Sequence, residues 1–120
     1  MESILTSIKK LLGITEEYEQ FDSDIIMHIN SVFMILNQLG IGPKNGFHIT
    51  DKFATWDDFL PADNKNFEAV KSYMHLKVKL LFDPPLGSAV MECMKQMANE
   101  LEWRLNVEAE QNGKEEIQNE

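Results

Sequence analysis

Between Ile25 and Leu39 the chain carries no Lys, Arg, Asp or Glu, and Ile25, Ile29, Val32, Phe33 and Leu36 recur there with the 3.6-residue period of a helix. Asp22 is placed to open this helix as an N-cap and Gly40 to end it. Met27 and Met34 fall two turns apart on the side opposite the apolar stripe. A helix that is uncharged on both faces is stable in water only when it is covered on both. The stretch therefore demands other helices around it, or other molecules.

Three further helical stretches supply that cover. Ile4, Leu5, Ile8, Leu11 and Leu12 share one face of a helix over residues 2–12, with Lys9 and Lys10 outside it and Gly13 as a stop. A third helix over 65–82 turns Phe67, Val70, Met74, Val78 and Leu81 to one side and ends at Asp83-Pro84-Pro85, where proline forbids continuation. Ser88 caps a fourth helix running to Ala109, with Val90, Met94, Met97, Leu101 and Leu105 inward and Cys93 near the apolar edge as a buried thiol. Residues 40–64 hold too many Gly and Pro for a long helix. There Phe47-His48-Ile49 and Phe53-Ala54-Thr55-Trp56 flank a turn and predict a small β-hairpin, followed by a capping box from Thr55 to Asp58 and a helical turn over 57–60. The expectation is an all-α bundle of about four helices with a loop-rich insertion. Residues 1–109 form its single domain, and residues 110–120 an acidic, flexible tail broken at Asn112-Gly113.

Composition narrows the function. A chain of 120 residues, 43% of them apolar, builds one core, and none of its apolar runs reaches the length of a membrane span. The segment Met1-Glu2-Ser3-Ile4-Leu5 lacks a basic region before an apolar one and does not read as a secretory signal. Eleven basic residues against twenty acidic ones, a net charge of -9, make a poor complement to nucleic acid or an anionic membrane. A lone cysteine fits a reducing compartment.

No catalytic or metal-binding constellation emerges. His28, His48 and His75 have no second histidine three or four positions away. Asp57 and Asp58 are adjacent, and neighbours on a helical turn point about 100° apart, so capping and solvation explain them better than a paired acid and base. The six glycines form no phosphate loop. No catalytic, cofactor-binding or metal-ligating residue is assigned, and no cofactor is expected.

What the sequence does offer is apolar side chains on faces where a lone monomer would carry charge. Met27 and Met34 lie outside the second helix's stripe, Leu76 and Leu80 opposite that of the third, and Trp103 and Val107 away from that of the fourth. These six are the candidate protein-interface residues, since a large aromatic on a polar face is a typical anchor. Lys71, His75 and Lys79 make a basic strip on the third helix, suited to a solvated face or to acids of a neighbouring subunit.

The phrases Ile-Lys-Lys-Leu-Leu-Gly-Ile at 8–14, Phe-Asp-Ser-Asp-Ile-Ile-Met-His-Ile-Asn at 21–30, Gln-Leu-Gly-Ile-Gly-Pro at 38–43 and Thr-Trp-Asp-Asp-Phe-Leu at 55–60 resemble the small head–tail connector (adaptor) proteins of tailed bacteriophages. Leu-Lys-Val-Lys-Leu-Leu-Phe-Asp-Pro-Pro at 76–85 and Glu-Trp-Arg-Leu-Asn at 102–106 extend the resemblance over roughly 4–107. It implies a helical structural protein of the virion neck, without enzymatic activity, assembled in the host cytoplasm. Such adaptors form a homo-oligomeric ring, typically twelve-fold, beneath the portal protein after DNA packaging, and join it to the next neck or tail-completion protein. DNA only passes through the channel, and no membrane is involved. Their C-terminal segment often reaches the portal, a role that would fall here to the chain beyond Trp103, while the loops of 46–60 are candidates for contact with neighbours. Two other readings compete: a small acidic helical interaction module or DNA-mimicking inhibitor, whose charge would line an ordered face, and a small hydrolase using Asp57 or Asp58. The stretch from Glu108 onward, with five acids and one Lys, holds nearly half of the net charge, which argues against the inhibitor.

Overall fold

The computed structural model describes residues 2–118, with side chains over 2–111. Its elements are α1 (Ile4–Leu11), α2 (Asp22–Gln38), α3 (Trp56–Phe59), α4 (Phe67–Phe82) and α5 (Ser88–Gln118). The fold is the expected all-α bundle. α4 packs against both α2 and α5, and α1 lies against α2. α5 alone, at 31 residues, is about 46 Å long by helix rise.

The apolar stripe of α2 does what its period requires: Ile25, Ile29, Val32, Phe33 and Leu36 are all buried. Phe33 lies at the centre of an aromatic cluster, 4.7 Å from the Phe59 ring, 5.0 Å from Phe47 and 6.3 Å from Trp56 between centroids. The Trp56 indole donates to Ser7 Oγ at 2.9 Å, which ties α3 to α1. Gly42 closes the turn before this cluster at φ +90°, and a Cβ there would lie 2.4 Å from the Phe59 ring, so the site takes no larger residue without displacement.

Five expectations change. Residues 47–56 form no hairpin, and among the described residues there is no strand, apart from an isolated bridge between Ser3 and Thr55. The loop's backbone finds other partners: Asn30 of α2 donates to the Ile49 carbonyl at 2.9 Å and accepts from the Ile49 N–H at 2.8 Å. Ile4 N–H donates to Ala54 O and Trp56 N–H to Glu2 O. Lys9, expected outside the α1 face, is 2% exposed, and its ammonium binds Glu16 O at 3.0 Å, Tyr18 O at 2.7 Å and Asp22 Oδ1 at 2.8 Å. Three acceptors match the three donors of a lysine, so a buried charge fastens the 13–21 link across the start of α2.

The third change concerns α4, whose two apolar faces are both used within the protomer. Tyr73 and Leu76 are buried alongside Val70, Met74 and Val78, because α2 covers one side and α5 another. Leu81, expected inward, is exposed past the end of the core. The fourth is in α5: Leu105 is buried and Leu101 half-buried, but Val90 and Met97 of the same stripe are 55% and 50% exposed, and Cys93 is exposed as well. Finally, α5 continues as backbone past Ala109 to Gln118. One glycine costs a helix only about 1 kcal/mol relative to Ala, and the Glu, Gln and Lys around Gly113 are good helix formers. Residues 119–120 of the expected tail lie outside the described residues.

Candidate interaction surface

Three patches of exposed apolar surface stand on this frame. On α2, Met27 and Met34 are 58% and 59% exposed, on the side away from the Phe33 core. Ser31 between them turns its hydroxyl back onto the Met27 carbonyl at 3.1 Å, so the strip offers a neighbour little polarity. The uncharged sequence of α2 thus has one face buried in the bundle and one open.

On α5, Trp103 is 65% exposed and borders a shallow groove with Leu39, Asn99, Glu102 and Asn106. Glu102 is held beneath it by the Tyr73 hydroxyl, which donates to Oε2 at 2.9 Å. Burial pushes the Tyr73 hydroxyl well above its ordinary range, and the hydrogen bond and charge of Glu102 push it further. Val107 is half-buried, one turn on from Trp103.

The third patch lies over the outside of α4. Ser72 joins two grooves, one lined with Met97, Glu100, Leu101 and Arg104 of α5, the other with Leu11 of α1 and Glu68, Lys71 and His75 of α4. The basic strip is partly engaged already, since Lys79 pairs with Asp83 at 2.8 Å and Lys71 approaches Glu2 at 3.8 Å and the Phe67 ring at 5.3 Å. His75 has its pKa lowered, chiefly by burial; a backbone hydrogen bond at Leu11 opposes this and the charge of Lys79 adds to it.

Of the six interface candidates, Met27, Met34 and Trp103 are open to solvent, Leu80 and Val107 are half-buried, and Leu76 is buried between helices of its own chain. The exposed ones come from two helices, the two methionines from α2 and Trp103 from α5. Reading the sequence alone missed the exposed Val90 and Met97, whose spacing looks like ordinary core. The residues weighed for chemistry are dispersed. Asp58 is spent on the capping box, accepting from Thr55 N–H at 2.9 Å. His28 packs near the Phe82 ring and His48 is exposed. Among the described residues no group of three or more His, Cys, Asp or Glu is arranged to hold a metal ion, and no helix is long and apolar enough to cross a membrane.

No curated protein and no solved structure matches this chain. A family profile described as "Phage connector protein" matches residues 4–112, from the first residue of α1 into the last turns of α5. That span contains every element of the bundle and all three apolar patches, and the chain belongs to the phage connector protein family, a structural family of bacteriophage.

Proposed function

We propose that the protein is a head–tail connector that assembles as a ring of identical subunits beneath the portal and joins capsid to tail once DNA is packaged. The observation that carries this reading is the combination of a well-packed bundle with large apolar side chains left open on α2 and α5. Scattered exposed apolar residues are ordinary, but here Met27 and Met34 repeat at two helical turns on the outer face of α2, and Val90 and Met97 continue the core stripe of α5 into the open. The role is structural and needs no catalytic group. DNA traverses the ring without specific binding, since a net charge of -9 repels phosphate instead of retaining it. The protein acts in the virion neck.

Docking to the portal falls to α5 beyond Trp103, whose exposed indole is a ready anchor, with the next neck protein on the opposite side of the ring. The experiment is association of the full chain, of Trp103→Ala and of a chain lacking 111–120 with portal-bearing heads, both variants keeping Leu105 in the core. Trp103→Ala weakens binding most, and removal of 111–120 weakens it less. If both bind as the full chain does, docking lies elsewhere, with the 46–60 loops next in line. If the full chain does not bind the heads at all, the connector reading falls.

A further inference from the structure

Two of the open patches have matching geometry. Val90 and Met97 stand seven residues apart on one face of α5, and Met27 and Met34 stand seven residues apart on one face of α2. Seven residues are two helical turns, about 10.5 Å, the repeat at which apolar knobs of one helix fit between those of another. The stripe holding Val90 and Met97 is the same one that, farther along, buries Leu105 in the core. It is core-like surface that its own protomer covers only by about half.

Charge adds a direction. From Gly13 to Gly40 the chain has five acids, one His and no Lys or Arg; Asp22 is paired with Lys9, while Glu19 and Asp24 are exposed at the start of α2. From Ala69 to Phe82, α4 has three Lys and one His and no acid. The basic residues Lys71, His75 and Lys79 are only partly exposed, and the groove of Lys71 and His75 meets that of Met97 at Ser72. Glu68 and Glu100 lie at the far end of the same surface, the latter paired with Arg104. The α4–α5 surface is thus basic along the α4 side. Placed against α2, it meets an uncharged strip led by acids.

We infer that the occupant of the α4–α5 surface is α2 of a second copy of this chain, Met27 and Met34 entering between Val90, Met97 and Ser72 while Glu19 and Asp24 approach the basic strip. The contact is head-to-tail: each subunit offers α2 to one neighbour and the α4–α5 surface to the other, as closure into a ring requires. The inference rests on the ring reading and adds to it which two faces meet.

The test uses two full-length variants, Met34→Glu and Met97→Glu, each placing a charge on one of the faces. Both positions are exposed, so circular dichroism and melting temperature of the protomer stay as in wild type. By sedimentation velocity each variant alone associates at least about tenfold more weakly than wild type, since losing a central contact of this kind costs a decade or more. Mixed in equal amounts, the variants form a one-to-one dimer and nothing larger, because Met34→Glu retains a sound α4–α5 surface and Met97→Glu retains a sound α2. A mixture that stays monomeric, or either variant assembling as wild type does, overturns the pairing of these faces and leaves the ring itself standing. Wild-type chain that remains monomeric at its highest attainable concentration also overturns it, while binding to portal-bearing heads would still decide the connector reading.

Discussion

α5 keeps one apolar spacing from Val90 to Leu105, yet its two halves meet different surroundings. Around Leu105 the stripe closes over a core that already contains Phe33, Trp56 and Tyr73, whereas around Val90 and Met97 the same stripe faces outward. Burying apolar area stabilises whatever does the burying. The inner half of α5 therefore holds the protomer together, and in the proposed ring the outer half is what holds protomers to one another. A periodic stripe is evidence of burial, and the fold decides whether the cover is the chain's own.

That contrast can be broken by substitutions in the packed half that prove harmless, or by substitutions in the open half that unfold the protomer. Phe33→Ala removes the hub of the aromatic cluster and is expected to lower stability by about 3 to 5 kcal/mol, measured by urea unfolding. Gly42→Ala comes next, at about 2 to 3 kcal/mol, because it combines a positive φ with a Cβ inside the Phe59 ring's space. Asn30→Ala strands the N–H and C=O of buried Ile49 and should cost about 2 kcal/mol, accompanied by faster amide exchange at residue 49. Met97→Ala, by contrast, should move the protomer's unfolding midpoint within about 0.5 kcal/mol, as exposed substitutions do.

The smallest expected effect is one of pH. His75 has a lowered pKa in the folded chain, so the unfolded chain takes up its proton first as pH falls. Its contribution to stability is complete above the ordinary value of 6.5 and is lost as pH drops from there toward the folded value. Urea midpoints at pH 7.5 and pH 5.5 should differ more for wild type than for His75→Gln. Equal differences would remove His75 from the acid response.

The parts of this arrangement that were legible in the sequence are those settled by local spacing. The α2 stripe, the Thr55–Asp58 capping box and the openness of Met27, Met34 and Trp103 follow from helical period and short-range hydrogen bonding. Lys9 was not legible, because burying an ammonium depends on carbonyls seven and nine residues away turning toward it. The hairpin failed for a related reason: the β-prone loop does pair its backbone, but with Asn30 and the N-terminal segment, at separations that spacing cannot reveal. Leu76 and Val90 exchanged their expected surroundings because both are apolar at helical spacing, and only the packing of α2 and α5 around α4 separates a buried face from an open one.

Whether the open faces exist for assembly of a connector ring is decided by the native mass of the full-length chain, alone and with portal-bearing heads. A closed oligomer of defined stoichiometry in at least one of these conditions, with Trp103 fluorescence shifted to the blue on docking, is the result expected. A monomer in both, with Trp103 remaining in water, would contradict it.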